Sequence, residues 1–162
     1  MDSSGEAAAT ARYGRFWSGL RPETTRELLA LARPDLVFRD PFNELRGAAT
    51  VVAMLDHLFE QARDVRFTVT AAARDGAVAF YRWDFSCRLR RPAIELPIAG
   101  VSEVRFDEAG LAVAHIDHWD AAAQVYERLP LLGLALKRIR RRLAFPGPAT
   151  RPLAAPAPGS RG

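Results

Sequence analysis

The chain has 162 residues, of which 49% are hydrophobic and 26% are charged, as is usual for a globular protein. All 19 acidic residues precede residue 130 and are accompanied there by 16 of the 23 basic residues, so residues 1–129 carry −3 and residues 130–162 carry +7. This division argues against a nucleic-acid-binding domain with a broad basic face, because the excess positive charge is confined to the C-terminal segment.

The sequence also restricts the compartment and the kind of site. Cys87 is the only cysteine, which excludes an internal disulfide and a multi-cysteine zinc site. No apolar run reaches the ~18 residues of a membrane span. Residues 1–20 include Asp2 and Glu6 and no continuous apolar block, so a secretory signal is not indicated. We therefore expect a cytoplasmic protein with one folded domain.

Apolar spacing in the first half of the chain predicts three helices and one short strand. In chain order they are helices at 10–19 and 21–32, a strand at 36–38, a loop at 42–47 and a helix at 48–63. Pro22 begins the second helix and Pro34 ends it, while Asp40 before Pro41 favours an extended backbone that leads into the loop.

Four strand-like runs follow, at 65–74, 77–89, 94–107 and 111–119, with turn signals such as Asp75-Gly76 between them. Helices followed by an antiparallel meander predict an α+β fold. The third run places mostly apolar residues on one face: Ile94, Leu96, Ile98, Gly100, Ser102, Val104 and Phe106. We expect this long strand to bend near Pro97 or Gly100, so that the sheet forms a cone with an apolar pocket.

Two stretches place charged residues on strands. Residues two apart on a strand share a face, so Arg82 and Asp84 lie together with Phe80. Asp117 adds a second carboxylate, and an arginine between two carboxylates would hold one ionised while the other titrates. The opposite face of the strand carries Tyr81, Trp83 and Phe85, which we expect to remain uncovered by helices and to form a homodimer interface.

The order of elements and several motifs together resemble the nuclear transport factor 2-like superfamily, which includes ketosteroid isomerase, limonene epoxide hydrolase, scytalone dehydratase and the SnoaL-like polyketide cyclases. The resemblance covers roughly residues 10–130 and is carried by Leu36–Pro41, Arg82–Asp84, Gly100–Phe106 and His115–Asp120. It implies a cone-shaped, strongly curved sheet closed by N-terminal helices. It also implies an apolar pocket for a small hydrophobic molecule and chemistry without a metal or other cofactor.

Two members of the superfamily match at different residues. Asp40 lies where ketosteroid isomerase has its general base, although Phe16 and Ser102 stand at its two oxyanion-hole positions. Arg82, Asp84 and Asp117 align with the Asp-Arg-Asp constellation of limonene epoxide hydrolase, although Val37 and Arg39 replace its water-holding residues. The catalytic candidates are therefore Asp84, Asp117, Arg82 and Asp40. The residues we expect to line the pocket and bind substrate are Phe16, Trp17, Phe38, Phe80, Ser102, His115 and Trp119.

Each of these residues can be interpreted as catalytic or as structural. Arg82 could form a structural ion pair, and Asp40 could be a turn residue. His115 could be a structural histidine or a residue that orients Asp117. The protein is then either an acid/base enzyme of the isomerase, cyclase, dehydratase or epoxide hydrolase type, or a noncatalytic module for ligand binding or dimerisation.

The chain divides into a domain at 10–129, a basic amphipathic helix at 130–145 and a Pro/Ala-rich tail at 146–162 that we expect to be disordered. Asp120 is predicted to cap a helix that runs to Leu129. The basic helix has three candidate partners: the body of its own domain, which is the simplest, an acidic protein, or an anionic membrane surface with weak peripheral contact.

Overall fold

The computed structural model describes residues 3–91, 93–129 and 132–144, and it shows an α+β fold built on one six-stranded sheet. The helices are α1 Ser3–Ser18, a 3₁₀-helix Thr25–Ala30, α2 Ala48–Gln61, α3 Ala121–Gln124, a 3₁₀-helix Tyr126–Arg128 and α4 Leu132–Leu143. The strands are β1 Ala32–Arg39, β2 Glu44–Arg46, β3 Ala62–Asp75, β4 Val78–Leu89, β5 Glu95–Phe106 and β6 Ala112–His118. None of the helices in these ranges is long and apolar enough to cross a membrane.

The sheet is curved, unclosed and mixed, with the strand order β2-β1-β6-β5-β4-β3. Strands β1 and β6 are parallel, whereas the other neighbours are antiparallel. Two register shifts occur between β3 and β4, one between Arg63 and Arg66 and one between Val69 and Ala71. The pairing of β4 with β5 runs through Pro97 and Gly100 without a shift. Further shifts occur in β1, between Ala32 and Val37, and at the end of β5, between Arg105 and Phe106. The irregularities that can bend strands therefore lie in these places and not at the predicted bend near Pro97 or Gly100.

The main differences from the predicted elements lie in the first half of the chain. The helix expected at 21–32 is only a short 3₁₀-helix at Thr25–Ala30. The Thr24 hydroxyl accepts from the Arg21 N–H and donates toward the carbonyls of Gly19 and Arg21. These bonds form a local turn, which competes with an α-helix at this place. Pro34 lies inside β1, in the stretch where pairing with β6 is interrupted and no N–H is needed. The loop expected at 42–47 contains β2.

The C-terminal helices also differ in part from the expectation. Asp120 caps α3 as predicted, since its carboxylate accepts from the Ala123 N–H. That helix ends at Gln124, and the next residues form a 3₁₀-helix rather than continuing the α-helix to Leu129. The tail predicted at 146–162 lies outside the described residues.

The core lies between the inner face of the sheet and the helices. Helix α1 contributes Tyr13, Phe16 and Trp17, all at most 6% exposed. Tyr81 and Trp83 of β4 are buried in the same core, at 2% and 3% exposure. The prediction that the aromatic side of β4 faces outward is wrong for these two residues, because the alternating apolar positions of β4 are the ones that the helices cover.

Candidate functional site

A connected chain of hydrogen bonds ends on the carboxylate of Asp117, near the end of β6. His115 Nε2 and Ser102 Oγ both lie within hydrogen-bond distance of Asp117 Oδ1, at 2.9 and 2.5 Å. Tyr13 Oη lies 2.9 Å from His115 Nδ1, and the Trp83 indole N–H donates to Ser102 Oγ over 2.8 Å. Residues from α1, β4, β5 and β6 therefore converge on one oxygen atom.

The donors in this chain can be assigned from the chemistry of its ends. An indole N–H can only donate, so Ser102 accepts from Trp83 and gives its own proton to Asp117. An ionised carboxylate can only accept, so His115 Nε2 carries a proton and donates to Asp117 Oδ1. In a neutral imidazole Nδ1 is then the acceptor, and the Tyr13 hydroxyl donates to it. Every bond in the chain is directed toward the same carboxylate.

The two oxygens of Asp117 have different surroundings. Oδ1 accepts both hydrogen bonds, whereas Oδ2 has no hydrogen-bond partner among residues 3–91, 93–129 and 132–144. The side chain of Asp117 is 13% exposed, while that of His115 is only 2% exposed, and Oδ2 is not among the buried polar atoms without a partner. Asp117 thus presents one oriented, accessible oxygen that can accept or deliver a proton.

Gly100 makes room for this arrangement. It pairs with Trp83 across β4 and β5, and a Cβ at position 100 would lie 2.5 Å from Trp83 Cζ2 and 2.9 Å from the His118 carbonyl. Trp83 lies over the missing side chain and reaches Ser102 from there. Glycine is therefore required here because the indole ring occupies the place of a side chain.

The floor of the site is aromatic. The His115 ring lies 4.9 Å from that of Trp17 and 5.1 Å from that of Phe38. The Trp17 N–H is close enough to Tyr13 to oppose the rise of the Tyr13 pKa, but it is outside hydrogen-bond geometry. It is the one buried side-chain polar atom without a partner in the part of the chain that the structure describes. This apolar packing makes the orientation of His115 rigid.

The expected trio of Arg82, Asp84 and Asp117 does not form. Arg82 and Asp84 lie on the exposed outer face of β4, and Arg82 pairs with Val101 of β5, whereas Asp117 pairs with Ser102 on the inner face. Within the described residues neither Arg82 nor Asp84 has an ion-pair partner. The prediction of a trio requires the polar side of β4 to face inward, whereas the opposite side is the buried one.

Asp40 forms a turn rather than an open base. Its carboxylate accepts from the backbone N–H groups of Phe42 and Asn43 at 2.6 and 2.7 Å and from the Asn43 side chain at 2.9 Å. This is the turn interpretation left open by the sequence. Both oxygens are occupied within the loop, so Asp40 is not arranged as a free proton acceptor.

The residues expected to bind substrate fall into three places. Five of them are buried in the core: Phe16, Trp17, Phe38, Ser102 and His115. Phe16 also borders an open groove of about 450 Å³ beside Arg12 and Arg15, and the other four line none of the grooves described. Phe80 lies on the outer face and is 41% exposed. Trp119 is partly buried and contacts Phe42, whose ring also lies 6.1 Å from that of Tyr126.

Phe42, Trp119 and Tyr126 form a partly exposed aromatic cluster, which we call the rim cluster. Phe42 is 53% exposed and Tyr126 is 36% exposed. Arg39 of β1 pairs with Ile116 of β6, so the loop that follows β1 lies beside the end of β6 that carries Asp117. The rim cluster is therefore an apolar surface close to the accessible carboxylate.

Two surface features complete the description. Asp84 lines an outer groove of about 300 Å³ with Arg66 and Thr68, apart from Asp117. The described residues contain no group of three or more His, Cys, Asp or Glu side chains that could hold a metal ion. Cys87 is buried, and burial raises the pKa of its thiol, as suits a packing residue.

The sequence predicted Asp117 as a catalytic residue and Ser102 and His115 as substrate-binding residues, with His115 as a residue that could orient Asp117. It did not predict the bond from Ser102 to Asp117, nor Tyr13 and Trp83 as partners in the same network. Tyr13 lies on the same apolar stripe of α1 as Phe16 and Trp17, and this spacing indicates that its side chain faces the core. The signal for Trp83 was the regular alternation of apolar residues along β4, which is typical of a core-facing side.

Comparison with known proteins places this architecture among solved structures. The structure resembles an LEH-like epoxide hydrolase of M. tuberculosis, with a TM-score of 0.61 and 15% identity, over 85% of this chain and 97% of that one. It resembles a putative SnoaL-like polyketide cyclase of Shewanella denitrificans OS-217, with a TM-score of 0.60 and 18% identity, over 74% and 96% of the two chains. At these identities the likeness shows the fold alone.

A third structural neighbour is a hypothetical protein with a ketosteroid isomerase-like fold from Catenulispora acidiphila DSM 44928, in complex with trimethylamine. The TM-score is 0.61 at 13% identity, over 72% of this chain and 88% of that one. A sequence comparison with curated proteins gave no significant match. The family model for the SnoaL-like domain matches residues 10–115, which is more than half of the chain. Together with the curved sheet, this match shows that the chain belongs to the SnoaL-like domain family.

Proposed function

We propose that the protein is a cofactor-independent acid/base enzyme in which Asp117 transfers a proton to or from a small, mostly apolar molecule. The observation that carries this proposal is the asymmetry of the Asp117 carboxylate. Its Oδ1 is held by His115 and Ser102, and its Oδ2 is accessible and has no partner among the described residues. A carboxylate that is positioned in this way can act as a general base toward a substrate within hydrogen-bond reach.

The residues around Asp117 have separate roles in this proposal. His115 and Ser102 orient the carboxylate, while Tyr13 and Trp83 fix the direction of their hydrogen bonds. Ser102 already donates to Asp117, so it is not free to stabilise negative charge on a substrate. The four partners are therefore positioning residues, and Asp117 is the group that would contact the reacting atoms.

The rim cluster supports an apolar substrate. Phe42, Trp119 and Tyr126 offer aromatic surface beside the accessible carboxylate, and aromatic side chains bind apolar molecules without demanding one polar pattern. A substrate seated against these rings could reach Asp117 with a C–H or O–H group. The structural neighbours whose names include a polyketide cyclase and an epoxide hydrolase support this class of substrate.

The geometry also narrows the reaction type. The structure does not support epoxide opening by an Asp-Arg-Asp constellation, because Arg82 and Asp84 lie on the outer face of the sheet, away from Asp117. A single carboxylate that removes a proton and returns it elsewhere suffices for isomerisation, cyclisation or dehydration. We therefore favour one of these three reactions.

A second candidate function is a noncatalytic module that binds a ligand or a second copy of the chain. The observation in its favour is that the inner space of the sheet is filled by Tyr13, Phe16 and Trp17, and that the grooves described on the surface do not include Asp117. In this case the hydrogen-bond chain would be structural, holding β5 and β6 together.

Deuterium exchange distinguishes the two candidates whichever of the three reactions the protein catalyses. The protein is incubated in D₂O with a panel of small cyclic enones and β-keto esters, which have acidic C–H groups, and with the apolar metabolites that the protein retains from an extract. Mass spectrometry then measures deuterium incorporation. We expect Asp117→Asn to lower the exchange rate at least about a hundredfold, the usual scale for loss of a positioned base.

Asp84→Asn is the matched control, since it removes the same charge from the exposed face of β4, which β5 separates from the strand of Asp117, and it should leave exchange unchanged. Exchange that survives in Asp117→Asn would place the base elsewhere. If the wild-type protein retains a ligand but catalyses neither exchange nor turnover of it, the noncatalytic function is the correct one.

A further inference from the structure

Helix α4 leaves most of its apolar side exposed. Leu132, Leu136, Ile139 and Leu143 recur at the spacing of one helical stripe. Leu132 is 45% exposed, Ile139 55% and Leu143 83%. The expectation that this helix packs on its own domain is met through Gly133 and Arg140, which contact Glu127, but these contacts leave a large part of the apolar stripe exposed.

Contacts with residues 127–129 attach α4 to the rest of the chain, including a hydrogen bond from the Gly133 N–H to the Leu129 carbonyl over 2.9 Å. Gly133 lies against the backbone of Glu127, where a Cβ would meet the Glu127 carbonyl at 2.2 Å. Arg140 forms an ion pair with the Glu127 carboxylate at 2.8 Å, and the Glu127 side chain is only 7% exposed. These contacts orient the helix but do not cover the stripe, which borders an open groove of about 410 Å³ beside Ala122 and Ala123 of α3.

The other side of α4 is strongly basic. Lys137, Arg138, Arg141 and Arg142 are exposed, and none of them forms an ion pair with a described residue. Residues 130–162 contain no acidic residue, while residues 1–129 carry a net charge of −3. The basic charge thus belongs to a separate region of the molecule, and among the described residues only Arg140 has an internal ion-pair partner, Glu127.

We propose that α4 is a peripheral membrane-binding helix that lies on an anionic lipid surface, with its apolar stripe inserted at the boundary between headgroups and acyl chains. An apolar stripe opposite a basic side, in a helix of low overall hydropathy, is the pattern of an interfacial helix. The unpaired basic residues supply charge complementarity to anionic headgroups, and the acidic body remains turned toward water. An acidic protein surface would satisfy the charges but would leave the leucine and isoleucine stripe uncovered unless it also offered an apolar groove, whereas an anionic lipid surface covers both sides of the helix.

Sedimentation of the full chain with vesicles tests this proposal. The probes are vesicles of phosphatidylcholine alone and vesicles of phosphatidylcholine mixed with phosphatidylserine. We expect binding to the mixed vesicles only, and weaker binding as ionic strength rises. Each basic residue near an anionic surface strengthens binding by severalfold, so the combined variant Arg138→Gln, Arg141→Gln and Arg142→Gln should bind about a hundredfold more weakly.

The matched control is the combined variant Arg26→Gln, Arg63→Gln and Arg105→Gln. These three arginines are exposed, have no ion-pair partner among the described residues and lie in the body, so their removal should leave vesicle binding within about threefold of wild type. The stripe is tested by Ile139→Ser with Leu143→Ser, which should also abolish most of the binding, because the apolar contact is lost while the charge is kept.

Four outcomes would overturn the proposal. They are equal binding to neutral and anionic vesicles, no loss in the arginine variant, an equal loss in the control variant, and no loss in the Ile139 and Leu143 variant. Lipid-free association that disappears in the Ile139 and Leu143 variant would show instead that a second copy of the chain covers the stripe. Circular dichroism of each variant checks that the chain is folded.

Discussion

Gly100→Ala should destabilise the protein by displacing Trp83. The new methyl group would lie 2.5 and 2.6 Å from two atoms of the indole ring and 2.9 Å from the His118 carbonyl oxygen, whereas relaxed carbon–carbon contacts are about 3.5–4.0 Å. The ring must therefore move by roughly 1 Å. Such a movement weakens the 2.8 Å hydrogen bond from Trp83 to Ser102.

The magnitude follows from two contributions. Overpacking of a well-packed interior typically costs about 1–3 kcal/mol. A buried N–H that loses its acceptor costs about 1–3 kcal/mol more. We therefore expect the free energy of unfolding to fall by about 2–6 kcal/mol, a large part of the stability of a domain of this size.

A double-mutant cycle assigns the cause. Urea unfolding followed by circular dichroism is measured for the wild type, Gly100→Ala, Trp83→Phe and the double variant. Phenylalanine lacks the outer ring atoms that meet the new methyl group, so Gly100→Ala should be at least about 1 kcal/mol less destabilising in that background. An equal loss in both backgrounds would refute the steric argument and point to the His118 carbonyl or to backbone strain.

Two further predictions concern the Tyr13 hydroxyl and the outer sheet face. Burial raises the pKa of Tyr13 above its ordinary value of 10.0. Above about pH 10 the unfolded chain therefore releases the Tyr13 proton while the folded state keeps it. The contribution of Tyr13 to stability is complete below about pH 10 and is lost progressively as the pH rises above it. Urea unfolding above about pH 10 should show that Tyr13→Phe reduces this loss by about 1.4 kcal/mol per pH unit, and equal slopes for variant and wild type would contradict the argument. We also propose that the chain forms a homodimer through the outer face of the sheet, where Phe80 and Val101 are 41% and 37% exposed. Phe80→Asp with Val101→Asp should then shift the sedimentation coefficient to that of a monomer, whereas wild-type protein that is monomeric at micromolar concentration would refute the dimer.

Local spacing was sufficient to predict most of the fold. The helix at 48–63 and the four long strands were found within a few residues of their observed bounds, because each has a regular apolar period and a turn signal at its ends. The apolar face of β5 was identified by alternation alone, and Leu96, Ile98, Ser102, Val104 and Phe106 are buried as expected. The elements that were missed, β2 and the 3₁₀-helix Thr25–Ala30, are short and depend on hydrogen bonds that spacing does not reveal.

The candidate site was predictable only in part. The sequence alone determined that His115 and Asp117 share one side of β6, because residues two apart on a strand must do so. Alternation along β4 favours the side with Tyr81 and Trp83 as the buried one, but it could not determine whether that side faces the same way as His115 and Asp117, because this depends on what α1 covers. Tertiary packing decides it. Tyr13, Phe16 and Trp17 of α1 pack on the inner face of the sheet together with Trp83. Arg82 and Asp84 therefore lie on the outer face. The partners of Asp117 come from positions as far apart as Tyr13 and Ser102, and such contacts depend on strand register and helix docking rather than on any local pattern.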